Sequence, residues 1–341
     1  MLLDALLRNA QVAPERTAII DDSGSYPNRT LAGMAIGIAK LLQQKTDKPT
    51  VGLLLPAGAA FVAGFYGTLA AGKIPVPINF LLGAREVGHI LQDSGIDTVM
   101  TIPLLGARLE GTGVNVIDMT TLSSQLPPPG PFEFPKPQAD DVATILYTSG
   151  TSGLPKGVCL TQNNLQSDVE ACIQKAQLKG EHSFLGIIPL FHSTGMLATM
   201  LAPVTLGAKA VYIARFSPVA TMKAIREHGI SVLTGVPSMY GALLRLKDAS
   251  PDDFKNIYVC LSGGEPLPGT IRQAFVDRFG TRLMEGYGLT ETIGPIAFNT
   301  PDHYKAGSVG QLIPGARPSS STTPTMKSRS AARAKSCSPA R

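Results

Sequence analysis

Short apolar runs that stop at glycine or proline alternate with segments of helical periodicity over most of this chain. That rhythm limits what it can fold into. "TVGLLLP" (50–56) predicts a buried strand, "GAAFVAGFYGTLAAG" (58–72) a helix and "KIPVPIN" (73–79) the next strand. "GAREVGHILQDSG" (83–95) carries apolar residues at helical spacing and ends at a glycine, and "IDTVMTI" (96–102) follows as a strand. The pattern returns in strands 183–190, 208–213, 230–237 and 256–264, with helices at 194–206 and 217–229 between them. Strands separated by helices of 10–15 residues predict an α/β fold of parallel-rich sheets flanked by helices. Repetition over so long a chain points to two linked sheets.

Composition enters at three places. The segment "SQLPPPGPFEFPKPQADD" (124–141) is too dense in proline for helix or central strand and reads as an extended connector. It divides a first α/β unit, 1–123, from a second, 142–315. Residues 316–341 hold no Leu, Ile, Val, Phe or Tyr, so disorder is expected there. Six of the 30 basic residues lie in that tail with no acid. The body then has 24 against 25 acidic residues, near neutrality, and no nucleic-acid partner is expected. The four cysteines, Cys159, Cys172, Cys260 and Cys337, show no CxxC or metal-ligand spacing and read as free thiols in a reducing compartment. The two longest apolar stretches are about 14 residues, too short to cross a bilayer. Cytoplasmic placement is the expectation.

Three glycine-bearing strand ends stand out. "YTSGTSGLPKG" (147–157) follows the strand-like "VATILY". Its bare backbone and hydroxyls suit an anion wrapped closely by N–H groups, with Lys156 as a compact cation. The order of Lys156 and Gly157 does not match the Walker loop, and a surface loop rich in turn formers fits the composition equally well. "LSGGEPLPG" (261–269) ends a strand and opens a helix near Pro268. "MEGYGLTETIGP" (284–295) sets Thr290 beside Glu291 after "TRLM". A hydroxyl and a carboxylate at a strand end could serve a Mg²⁺–phosphate group, or Glu291 could lie in solvent beside a capped turn.

Together with "PLFHSTG" (189–195), these motifs stand in the order and spacing of the adenylate-forming enzymes, which the chain resembles over about residues 1–315. That superfamily includes acyl-CoA synthetases, luciferases and the adenylation domains of peptide synthetases. The resemblance implies that Thr148, Ser149, Gly150, Thr151, Ser152, Gly153 and Lys156 form a loop over the ATP β- and γ-phosphates. It places Gly263, Gly264, Glu265 and Pro266 along the adenine, Tyr287 and Gly288 near it, and Thr290 by the α-phosphate. It makes Glu291 the Mg²⁺ ligand. His192, which alone would read as a satisfied core histidine, would sit by the substrate carboxylate. Lys156, Thr290 and Glu291 are the expected catalytic groups. ATP, Mg²⁺ and CoA are the expected cofactors and co-substrates, and a small-molecule carboxylic acid is the expected partner.

The implied reaction joins a carboxylic acid, expected to be a fatty acid, to the ATP α-phosphorus and then to the thiol of CoA. An aryl or amino acid, or a remnant that only binds nucleotide, are the alternatives. The sequence departs from the family after "GSVGQLIPG": no Thr-Gly-Asp triplet occurs, and the small C-terminal domain of the family does not follow. The expectation is a truncated N-terminal domain of impaired activity, with a tail read out of frame; a natural disordered tail is the alternative.

Overall fold

The computed structural model describes residues 1–128, 130–148, 153–318 and 326–328. A smaller sheet is built from β3 (Thr50–Leu54), β4 (Ile74–Pro77), β5 (Thr98–Thr101) and β6 (Asn115–Asp118), in the order β4-β3-β5-β6 and all parallel. The helix Ala59–Ala70 crosses from β3 to β4. Its residues are buried all round except Ala60, which is why it is apolar on every face. The helix Ala84–Ser94 crosses from β4 to β5 and stops at Gly95, whose φ of 67° closes the last turn.

The larger sheet has nine strands among the described residues. Its parallel centre is β13 (Met284–Gly288), β12 (Val259–Ser262), β11 (Val232–Gly235), β9 (Ser183–Gly186) and β10 (Lys209–Tyr212), in that order. One edge is extended by β14 (Pro295–Phe298), antiparallel to β13, and by β15 (Gln311–Leu312), antiparallel to β14. The two-sheet α/β expectation therefore holds.

The other edge was not legible in the sequence. β1 (Thr17–Asp21) pairs parallel with β10, and β2 (Gly24–Pro27) turns back antiparallel on β1. Residues upstream of the proline-rich connector thus hydrogen-bond into the sheet built by residues downstream of it. Helix Leu2–Val12 is bound in as well, since Asn9 Nδ2 donates to the Val204 carbonyl at 2.7 Å. Among its described residues the connector carries no strand, and no helix follows Leu122–Gln125 before β7 (Val142–Thr148).

Two further expectations change in detail. The glycine-rich loop that follows "VATILY" does not leave the end of a strand in either parallel sheet. Instead it joins β7 (Val142–Thr148) to β8 (Lys156–Thr161) in an antiparallel hairpin, with Thr148 opposite Lys156. Thr144 Oγ1 donates to the Pro75 carbonyl at 2.8 Å and ties this hairpin to β4. The helix read at 194–206 runs from Ser193 to Leu206 but widens to a π-turn over Leu197–Leu201. Pro203 has no N–H to offer the Thr199 carbonyl four residues back, and that carbonyl accepts from Tyr212 Oη at 2.5 Å instead.

Within the tail, Ala316–Pro318 and Met326–Ser328 pair as a short antiparallel ribbon, β16 and β17. The remaining calls on the tail, Cys337 included, lie outside the described residues. Cys172 and Cys260 are buried free thiols, whereas Cys159 is disulfide-bonded, so the free-thiol expectation does not hold for it.

Candidate active site

The parallel centre of the large sheet fixes one edge at which ligands collect: β9, β11, β12 and β13 all end there. A cavity of about 420 Å³ opens on that edge. Gly263, Gly264 and Glu265 reach it from the end of β12, and Gly288, Leu289 and Thr290 from the end of β13. His192, Ser193 and Thr194 face it from the start of the helix Ser193–Leu206, and Ile188, Val236 and Leu261 supply an apolar wall.

A second cavity of about 360 Å³ shares His192, Ser193 and Thr290 with the first. Thr148, Gly153, Leu154 and Pro155 of the hairpin line it, with Asn79 and Glu86 from the smaller sheet's side. A larger cavity, about 800 Å³, lies between the N-terminal helix and the connector and contains none of the motif residues. Size alone does not mark a site; convergent polar groups do.

The structure therefore brings Thr148, Gly153, His192, Gly263, Gly264, Glu265, Gly288 and Thr290 onto two adjoining cavities. Four expected residues do not line them. Lys156 is exposed at the loop end of the hairpin opposite Thr148, Pro266 is exposed one residue beyond Glu265, Tyr287 is 43% exposed, and Glu291 points to solvent beside Thr290. Ser149, Gly150, Thr151 and Ser152 lie outside the described residues.

Local geometry explains how these groups are held. β13 extends through Tyr287 and Gly288, further than "TRLM" suggested, and the chain then makes a tight turn, Thr290–Thr292. That turn is capped by Thr292, whose Oγ1 accepts from the Leu289 N–H at 3.1 Å and donates to the Gly294 carbonyl at 3.0 Å. Glu291 takes no part in the capping, and none of the hydrogen bonds or ion pairs found among the described residues involves it. Ile293 closes the turn at φ 61°, a conformation few β-branched residues adopt, and its side chain is fully buried.

The hairpin is held from the helix Ala84–Ser94. Tyr147 Oη donates to Asp93 Oδ2 at 2.6 Å, and His89 Nε2 donates to the Pro155 carbonyl at 3.0 Å. Burial holds the His192 imidazole below its ordinary pKa, so it is neutral near pH 7. Beneath the turn, burial pushes the Asp168 carboxyl up to about 8. Neither Asp168 oxygen has a hydrogen-bond partner among the described residues.

Sequence reasoning missed Asn79, Glu86 and Asp168. Ser193 and Thr194 stood in a motif already singled out, whereas Asn79 and Glu86 reach the site only through the packing of one sheet against the other.

Comparison with known proteins bears on the family. The family model described as AMP-binding enzyme matches residues 6–319. A long-chain-fatty-acid–CoA ligase of Bacillus subtilis is 29% identical, over 85% of this chain and 60% of its own length. A sulfoacetate–CoA ligase of Cupriavidus necator is 32% identical, over 86% of this chain and 58% of its own length. Among solved structures, a benzoate CoA ligase of Burkholderia xenovorans superposes with a TM-score of 0.85 at 26% identity, covering 93% of this chain and 66% of that one. The o-succinylbenzoate CoA synthetase of Bacillus subtilis, solved with its acyl-adenylate intermediate, superposes at 0.83 with 26% identity, covering 95% of this chain and 66% of that one. The chain spans about 60% of the length of the curated relatives it matches. With motif order, two-sheet topology and family match in agreement, the chain belongs to the family of AMP-binding enzymes.

Proposed function

We propose that this chain forms the nucleotide and acid site of a ligase that activates a carboxylic acid with ATP and passes the acyl group to CoA. The observation that carries the reading is the convergence of three glycine-bearing segments and His192 on two adjoining cavities. In the first half-reaction a carboxylate oxygen bonds to the α-phosphorus and pyrophosphate leaves. In the second, the CoA thiolate bonds to the acyl carbon and AMP leaves. Neither half needs a protein nucleophile. Both need two anions aligned and their charge offset.

In this reading the residues at the end of β12 hold the adenine, with Tyr287 and Gly288 beside it. The β7–β8 loop covers the outer phosphates with Lys156 at its base. Thr290 faces the α-phosphate, and a neutral His192 meets the acid's carboxylate without a compensating charge of its own. Glu291 suits Mg²⁺, because it is an exposed carboxylate free of the turn's own hydrogen bonds. Bound there, the ion would offset phosphate charge.

The acid is proposed to have an apolar tail, a fatty acid in the first instance. Among the described residues no lysine or arginine lines either cavity, so a second carboxylate or a sulfonate would find no cation. Ile188, Val236 and Leu261 offer an aliphatic wall instead. No helix among the described residues is long and apolar enough to cross a membrane.

Calorimetric titration with ATP plus Mg²⁺, and with a non-reactive acyl-sulfamoyl adenosine, tests the reading. Saturable binding of both, competed by AMP, is expected; absence of nucleotide binding overturns it. Exchange of labelled pyrophosphate into ATP in the presence of acid then separates an enzyme from a chain that only binds nucleotide.

A further inference from the structure

Below the larger sheet-edge cavity, the strand register aligns a row of residues across the sheet. Tyr212 is opposite Gly186, Gly186 opposite Thr234, and Thr234 opposite Leu261. Registered neighbours in a parallel sheet project to the same face. Leu261 lines the cavity, and from it this row runs inward along the same sheet face toward β10.

The middle of the row has almost no side chain of its own. A β-carbon built on Gly186 would lie 2.4 Å from Tyr212 Cδ1 and 3.3 Å from Thr199 Oγ1. The space over Gly186 is therefore filled by the Tyr212 ring, between the sheet and the π-turn of the facing helix. Tyr212 is buried and pinned at its far end, since Oη donates to the Thr199 carbonyl at 2.5 Å, the carbonyl that Pro203 leaves open. Three sequence features meet here: a glycine that makes room, a tyrosine that takes it, and a proline that frees the acceptor holding the tyrosine.

We propose that Tyr212 is the floor of the acid-binding end of the site and selects a compact monocarboxylic acid, a short aliphatic or single-ring one, against long chains. The inference rests on the reading of the site given above. A tail entering past His192 and Ile188, and following the sheet face inward, meets the ring over Gly186. To pass, it would have to displace a buried side chain and break its hydrogen bond to the Thr199 carbonyl. Tyr212 is thus a specificity-determining residue that takes no part in the chemistry.

The test is calorimetric binding of acyl-sulfamoyl adenosines carrying butanoyl, octanoyl, dodecanoyl and benzoyl groups to the full chain. In a site open at its inner end, each buried methylene would tighten binding by about fourfold. With a floor at Tyr212, butanoyl and benzoyl analogues bind, and lengthening to dodecanoyl brings no gain. Tyr212→Ala, folded by circular dichroism, is expected to bind the dodecanoyl analogue about tenfold tighter or more than wild type does. Tyr212→Phe keeps the ring and the selectivity. Wild-type affinity that climbs steadily to dodecanoyl overturns the proposal, and this comparison decides the matter even where the alanine variant does not fold. A folded alanine variant with no gain for the dodecanoyl analogue overturns it too. Failure of every analogue and of AMP to bind overturns the nucleotide-site reading itself; AMP binding with rising chain-length preference overturns only the role of Tyr212.

Discussion

Gly288 faces Gly294 across the turn so closely that a β-carbon built on Gly288 would lie 2.0 Å from the Gly294 carbonyl oxygen. Only backbone opposes it there, so nothing can rotate out of the way. Gly288→Ala is expected to force the turn apart, at a cost of roughly 1–3 kcal/mol. It should also move Thr290 away from the two cavities it lines. A lower urea midpoint at unchanged slope, together with weaker ATP binding, is the expected pair of results. Wild-type stability in the alanine variant would contradict the geometry.

The other side of the same turn presses on a buried acid. A β-carbon on Gly294 would be 3.2 Å from Asp168 Oδ2, and burial raises the Asp168 pKa to about 8. The folded chain therefore keeps this proton between about pH 4 and pH 8, where the unfolded chain loses it. Across that window the native state binds more protons, so this group's contribution to stability falls as pH rises and levels off above about 8. Asp168→Asn removes the dependence. At pH 7 the variant should be more stable than wild type by roughly 1–4 kcal/mol, and the two should converge below about pH 4. Denaturant titrations of both proteins at pH 4, 6 and 8 check this; a difference that ignores pH would refute it.

Tyr147 and Asp93 tie the β7–β8 hairpin to the helix Ala84–Ser94. Loss of the Tyr147 hydroxyl leaves a carboxylate short of one donor, so Tyr147→Phe should cost about 0.5–1.5 kcal/mol. Asp93→Asn should cost less once Tyr147 is already Phe. A double-mutant cycle measures that coupling, and strict additivity would show that the bond does not hold the hairpin.

Glu291 is exposed and outside the turn's capping bonds, so Glu291→Gln should leave the unfolding midpoint where it is. What should change is the metal dependence of nucleotide affinity. ATP binding in Mg²⁺ is expected to weaken by about tenfold, or ~1.4 kcal/mol, while binding in EDTA stays the same. Equal losses with and without Mg²⁺ would move the ion elsewhere.

The three glycine-bearing segments were legible because the constraint on each is local. An apolar run such as Val259–Ser262 must stop where the backbone has to turn, and "SGG" or "GYG" does that without a neighbour's help. The α/β class was legible for the same reason, since periodicity within one segment reports which of its faces is buried. Other features depend on partners distant in sequence. "TAIID" (17–21) carries no sign that it will lie beside Lys209–Tyr212, and "VATILY" reads alike whether the next strand runs parallel or back along it. Asp168 resembles any polar residue on an amphipathic helix until Gly294 and Leu197 close over it.

The sequence by itself determined the α/β class, most of the parallel strands and the residue types that wait at their ends, because backbone sterics and side-chain burial act within a few residues. Tertiary structure alone decided which ends meet, that Lys156 and Glu291 stay on the rim while Thr290 joins both cavities, and that Tyr212 takes the space Gly186 leaves. Those outcomes depend on sheet register and on one layer packing against another, which no single segment encodes.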